Sequence, residues 1–120
     1  MEYNVKVIIG TTRWYINGNL HREDGPAIEY SDGDKSWYIN GNLHREDGPA
    51  IEYQNGGKQW YINGKLHRED GPAFESPSGD KFWYLDGKQV TESDVINKKN
   101  YTVKELEAIV GHRINVISGK

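Results

Sequence analysis

The chain is predicted to be mainly β, a single-sheet antiparallel array of β-hairpins that repeat every 23 residues, with a small C-terminal helical cap. Two periodic features carry this prediction. A tryptophan recurs at the fixed spacing, and so does the string HREDGPA. The tryptophans are Trp14, Trp37, Trp60 and Trp83, and the string begins at His21, His44 and His67. At such a period each unit is one supersecondary element that buries its apolar surface by stacking on its neighbours.

The first element of each repeat is predicted to be a tight hairpin. Residues 35–39 are aromatic and β-branched, and they run into Asn40-Gly41. This dipeptide accepts the positive φ angles that a two-residue type I′ turn demands. Such a turn places Tyr38 opposite Leu43, so the register of the hairpin follows from the turn alone.

The second strand of each repeat is predicted after the HRED string. Side chains alternate along a strand, which puts Trp37 and Ile39 on the same face as His44. A turn or bulge at 47–49, which contains proline, then leads into a strand over 50–53. With two strands per repeat at about 4.8 Å each, we expect a meander of roughly eight to nine strands that advances about 10 Å per repeat.

The repeat array and the cap are expected to meet near residue 90. Residues 1–90 form the array, which starts with a half-unit and loses its pattern near Lys88, and residues 91–120 form the cap. Charge changes at the same place: 1–87 carry 9 Lys and Arg against 14 Asp and Glu, whereas 88–120 carry 6 against 4. An acidic repeat region repels phosphate, so nucleic acid is not an expected partner.

The cap has a helical pattern. A capping box at 102–105 and an apolar stripe predict a short amphipathic helix over about 103–110. The preceding stretch, 93–98, is expected to add a turn or a second short helix, and 115–117 to form an edge strand. We expect these elements to close the open end of the array, because terminal units need an altered surface.

Composition excludes several classes of protein. The chain has no cysteine, which rules out disulfides and thiolate zinc sites, and it has no apolar run long enough to span a membrane. The first residues lack the positive charge of a secretory signal. These features predict a soluble cytoplasmic protein that needs no cofactor; they do not indicate an oligomeric state.

The HRED string contains the residue types of metal and acid-base sites. Imidazoles and carboxylates have suitable lone pairs and pKa values. However, three equal copies about 10 Å apart cannot share one ion, so we predict no catalytic, cofactor-binding or metal-binding residues. The structural interpretation has Asp47 accepting backbone hydrogen bonds, Arg45 and Glu46 forming ion pairs between repeats, and His44 packing on Trp37. The tryptophans and tyrosines are expected to form most of the core.

The same string is the best candidate for a partner-binding face. A ribbon of stacked hairpins exposes a long regular surface, and its acidic excess would steer a basic partner to it. One alternative is that the string forms a solvated ladder of ion pairs with no binding role. A further alternative places binding on the basic tail around Lys98, Lys99 and Lys104. The predicted partner-binding residues are His21, Arg22, Glu23, His44, Arg45, Glu46, His67, Arg68 and Glu69.

Over residues 5–90 the aromatic hairpins and the HREDGPA string resemble MORN-type repeats, in particular a WYxNGxxHRxDGPA variety of tailed phages and large viruses. The resemblance implies an elongated array of β-hairpins with a scaffolding or protein-binding role and no enzymatic activity. It also implies a phage accessory or anti-defence protein that acts in the host cytoplasm, where it binds and inhibits a host protein.

Two other functions compete with this interpretation. Aromatic hairpins with Asn-Gly-like turns are also similar to choline- and glucan-binding repeats of cell-wall proteins, although the second Gly-Trp element of those repeats is missing here. A carbohydrate or cell-wall binding module is therefore the alternative function. A metal-dependent enzyme is the third, based only on the HRED residue types.

Overall fold

The computed structural model describes residues 2–97, and within them the fold is mainly β, as predicted. A short helix, α1, covers 92–97. The strands are β1 (Asn4–Ile8), β2 (Thr11–Ile16), β3 (Asn19–Leu20), β4 (Ile28–Glu29), β5 (Lys35–Ser36), β6 (Tyr38–Ile39), β7 (Asn42–Leu43), β8 (Ile51–Glu52), β9 (Lys58–Gln59), β10 (Tyr61–Ile62), β11 (Lys65–Leu66), β12 (Phe74–Glu75), β13 (Lys81–Leu85) and β14 (Lys88–Val90).

One antiparallel sheet runs the length of the array. Its strand order is β1-β2-β4-β5-β8-β9-β12-β13-β14, with β3 paired to β2, so each repeat adds two strands to the sheet. The pairs β6-β7 and β10-β11 form separate two-stranded hairpins beside it. The molecule measures 62 × 38 × 19 Å, an elongated shape.

The strand that contains each central tryptophan is split rather than continuous. The Trp37 N–H donates to the Ala50 carbonyl at 2.7 Å, which keeps it on the side of the main sheet, whereas its own carbonyl accepts from the His44 N–H at 3.0 Å. The backbone therefore changes partner at Trp37. The prediction of one strand over 35–39 was wrong in this respect, although the predicted pairing of Tyr38 with Leu43 is confirmed.

The hairpin turns have the predicted left-handed backbone. Asn40 has φ 50° and Gly41 has φ 82°, and the same pattern recurs at Asn17-Gly18, Asn63-Gly64 and Asp86-Gly87. The first hairpin, between β1 and β2, differs because its turn is Ile9-Gly10, with φ 48° at the isoleucine. A β-branched residue in this region is strained.

The core is made of small side chains. Ala27, Ala50 and Ala73 are fully buried, and Ile28 is 4 % exposed, whereas no large side chain of the described residues is fully buried. The tryptophans are only half-buried. The expectation of an aromatic core was therefore wrong in part, because a single sheet has no second layer to cover a large ring from the other side.

The described part of the cap begins with a capping box. The Thr91 N–H donates to the Asp94 carboxylate and the Asp94 N–H donates to Thr91 Oγ1, both at 3.1 Å, and the first of these bonds lowers the pKa of Asp94. Helix α1 lies where a turn or short helix was expected at 93–98. The predicted helix over 103–110 and the edge strand at 115–117 lie outside the described residues. No helix within 2–97 is long and apolar enough to cross a membrane.

Replacing Ile9 by Asn is expected to stabilise the fold by about 1 kcal/mol, since asparagine tolerates the left-handed region better than isoleucine does. Little packing is lost, because Ile9 is 92 % exposed. The measurement is the free energy of unfolding in urea. Val7→Asn, at another exposed apolar position of the same hairpin, is the control and should give no gain; equal or lower stability of the Ile9 variant would contradict the strain.

Alkaline pH is expected to destabilise the array through Tyr38 and Tyr61. Burial raises the pKa of both phenols, and neighbouring tyrosines raise it further. A raised pKa in the folded state means that the neutral phenol stabilises the fold below pH ~10, and that this contribution is lost as pH rises. Urea unfolding measured between neutral pH and pH ~11 should show a smaller alkaline loss for the Tyr38→Phe, Tyr61→Phe variant than for the parent. Parallel losses would exclude these two phenols as the cause.

Candidate partner-binding face

The predicted partner-binding residues lie on three equivalent loops that follow the hairpins. We call them the HRED loops, and they span 21–26, 44–49 and 67–72. Each loop is fixed at its start by two backbone bonds. In the first, the His21 N–H donates to the Trp14 carbonyl of its own repeat at 3.0 Å, and the Arg22 N–H donates to the Tyr38 carbonyl of the next repeat at 3.1 Å. The loops are therefore held in register with the sheet.

The arginine of each loop is a structural clamp. The Arg45 guanidinium lies over the Trp37 ring, with its Cζ 3.9 Å from the ring centroid. Its Nε donates to Asp47 at 2.9 Å, and its Nη1 donates to the Pro49 carbonyl at 3.0 Å and to Glu52 at 2.9 Å. The stack on tryptophan and the bonds to the aspartate and the proline carbonyl recur around Arg22 and Arg68. The positive charge of each loop is thus directed inward to its own repeat.

The contacts of the second HRED loop differ from the predicted ones in three respects. The group that stacks on Trp37 is the arginine, not His44, because its planar guanidinium can both cover the ring and bond in its own plane. The ion pairs of Arg45 lie within one repeat rather than between repeats. Asp47 accepts from the Arg45 side chain instead of mainly capping the turn, and this bond and charge lower the pKa of Asp47.

The histidine of each loop joins two repeats. In the second loop His44 Nδ1 accepts the Asn63 N–H at 3.0 Å, at the hairpin turn of the following repeat. Only an unprotonated nitrogen can accept, so in the neutral ring the hydrogen is on Nε2. That nitrogen lies 3.2 Å from a carboxylate oxygen of Glu46 and donates to it. Both bonds recur at the other two loops, at 2.9 to 3.2 Å.

The glutamates of the loops are consequently oriented by the histidines but remain accessible to solvent. The side chains of Glu23, Glu46 and Glu69 are 57, 81 and 63 % exposed. Each of them is hydrogen-bonded to the imidazole of its own loop, whereas the loop aspartates and the glutamates of β4, β8 and β12 lie next to the arginines. The grooves are lined by three arginines and six loop carboxylates, which leaves the face acidic.

Two open grooves lie between successive loops. The first has a volume of about 870 Å³, with Trp37 and Ile39 as its floor and the first and second loops as walls. The second, about 810 Å³, has Trp60 and Ile62 as its floor and lies between the second and third loops. Because the second loop is a wall of both, the grooves form one continuous row.

Eight of the nine predicted residues line these grooves. The exception is His21, which is buried at 6 % exposure; its Nδ1 accepts from the next repeat and its Nε2 lies 3.2 Å from Glu23. The floor residues were not predicted as site residues. The signal for them was present, since strand alternation puts Trp37 and Ile39 on the face of His44. Within residues 2–97 no group of three His, Cys, Asp or Glu side chains could hold a metal ion.

The described part of the chain is thus a β-hairpin protein with one long antiparallel sheet, two separate hairpins beside it and a row of acidic grooves. Comparison with protein-family models, with curated proteins and with solved structures finds no match. The resemblance to MORN-type repeats therefore rests on the residue pattern alone.

Replacing Arg45 by Lys is expected to lower the free energy of unfolding by about 1 kcal/mol, because an ammonium keeps the charge but loses the planar stack and the forked bonds. Tryptophan fluorescence during urea unfolding measures it. Arg13→Lys, on β2 and outside the HRED loops, is the matched control and should be nearly neutral. If both variants unfold like the parent, the clamp does not stabilise the loop.

Proposed function

We propose that this chain is a non-enzymatic protein-binding module whose HRED loops hold a partner with a basic surface. The observation that carries the proposal is the row of grooves, each with a Trp and Ile floor and a rim of exposed carboxylates. Apolar floors supply contact area, and the uncompensated negative charge supplies selectivity and faster encounter with basic partners.

The hydrogen bonds that the loop histidines and arginines already make support binding rather than catalysis. Both nitrogens of each loop imidazole are engaged, one by a backbone N–H and one by a glutamate, so neither is open to a substrate proton. Each arginine is committed to its own aspartate, proline carbonyl and tryptophan. A general base or an electrophile needs a free group that faces the reacting atoms.

The tryptophan geometry favours a protein over a sugar or choline as the ligand. Carbohydrate and quaternary-ammonium sites use an open aromatic face as a platform. Here Arg22, Arg45 and Arg68 occupy a face of Trp14, Trp37 and Trp60, with distances of 3.8 to 3.9 Å to the ring centroids.

From the phage-like repeat pattern we propose in addition that the partner is a host bacterial protein, such as a defence component, which this chain binds and inhibits in the host cytoplasm.

Capture from a bacterial lysate, read out by mass spectrometry, tests the proposal. Changing Glu23, Glu46 and Glu69 together to Gln is expected to weaken capture severalfold, because the uncompensated charge of the grooves is lost, with a melting temperature close to that of the parent. The matched control raises the net charge equally outside the loops, by Ser31→Lys, Gln54→Lys and Gln89→Lys, and should retain capture.

Other outcomes point elsewhere. Equal loss in both variants would mean general charge attraction rather than a binding face. Unchanged capture by the Gln variant would move the site away from the loops. Retention of the chain on choline or glucan resin, with release by the free ligand, would favour the cell-wall binding module instead.

A further inference from the structure

We infer that the groove row takes an extended, proline-rich segment of the partner that carries a Lys or Arg at every third residue. This inference rests on the proposed function and specifies the chemistry and conformation of its ligand. Its basis is a row of three charges, Glu23, Glu46 and Glu69, held at a fixed spacing above an apolar floor.

The charges are fixed in position by the fold. Each loop imidazole accepts a backbone N–H of the next repeat at Nδ1, which leaves Nε2 to donate to the glutamate oxygen 3.2 Å away. Since the backbone N–H belongs to the hairpin turn, the position of each carboxylate follows the stacking of the repeats. The three carboxylates therefore repeat with the period of the array.

That period follows from the sheet. Each repeat adds two strands to the main sheet, for example β4 and β5 followed by β8 and β9. At about 4.8 Å between neighbouring strands, equivalent atoms in successive repeats are about 9.6 Å apart. The partner must present its cations on one side at this spacing.

The polyproline II conformation meets this requirement best. It has about three residues per turn and a rise of about 3.1 Å, so every third side chain lies on the same side, about 9.3 Å apart. A β-strand repeats on one side at about 6.8 Å, which does not fit. An α-helix returns after seven residues, or about 10.5 Å, and its mismatch over two repeats is about 2 Å, compared with about 0.6 Å for polyproline II.

The floor and the charge distribution favour the same ligand. Segments of the PxxP type dock on aromatic-lined grooves, and the two residues between cations would face Trp37 with Ile39, or Trp60 with Ile62. Among the carboxylates that line the grooves, the aspartates form ion pairs with the loop arginines, whereas the three glutamates form none with an arginine of residues 2–97. Charge complementarity thus directs the partner's cations to them.

Binding of labelled synthetic peptides, measured by fluorescence anisotropy at one salt concentration, tests the inference. One peptide has four arginines, each followed by two prolines. A second has the same composition with its arginines clustered at one end, and a third is a helix former with arginines seven residues apart. We expect the first to bind at least about tenfold more tightly than either other peptide. Equal affinities, a preference for the helical peptide, or no binding of the first peptide would overturn the inference.

Two variants test whether the three oriented glutamates cause the preference for the regularly spaced peptide. Changing Glu23, Glu46 and Glu69 together to Gln should abolish the preference for the regular peptide. Changing His44 and His67 to Asn keeps an oxygen near the place of Nδ1 to accept the backbone N–H but removes the donor to glutamate, and should reduce the preference about threefold or more with circular dichroism unchanged. If the His variant misfolds, the Gln variant decides the question.

The proposed function and this inference can fail separately. If lysate capture depends on the three glutamates but the peptides bind equally, the proposed binding face is supported and the inferred ligand conformation is contradicted. If capture does not depend on the glutamates, both the proposed binding face and the inferred ligand are contradicted.

Discussion

The hairpin beyond each tryptophan depends on the repeat before it. After Trp37 the chain leaves the main sheet, and the backbone N–H groups of its turn have no partner in their own hairpin. The preceding repeat supplies the acceptors: the Leu20 carbonyl takes the Gly41 N–H at 2.8 Å, and His21 Nδ1 takes the Asn40 N–H at 3.0 Å. Unpaired backbone donors are costly, so this requirement fixes the stacking of one hairpin on the next.

The position of the loop histidine and the state of its ring follow from that requirement. Because Nδ1 is an acceptor, Nε2 carries the hydrogen and can orient a glutamate at the groove rim. The hydrogen bond that gives a backbone N–H its acceptor therefore also sets the position of a surface carboxylate. This link explains how one short string can serve both the stability of the array and the binding face proposed for it.

A single-layer sheet also has to cover its aromatic rings without a second sheet. The loop arginines do this, since a guanidinium can lie flat on an indole while its edge bonds carboxylates and a carbonyl. The consequence is an electrostatic asymmetry: the cations point inward and are compensated, and the uncompensated carboxylates point outward. The face is therefore more acidic to a partner than the sequence of the string suggests.

The sequence by itself determined the period, the turns, the hairpin register and the face shared by Trp37 and Ile39. These depend on neighbours along the chain, above all on the tolerance of Asn40-Gly41 for positive φ, so local rules suffice. Of the nine residues that it pointed to, eight line the grooves. Only the tertiary structure decided that the strand breaks at Trp37, that an arginine covers the ring, and that the floor between two loops belongs to the candidate site. Those outcomes come from competition among alternative partners in different strands and loops, such as Ala50, His44 and Arg45 for Trp37, which no local pattern ranks.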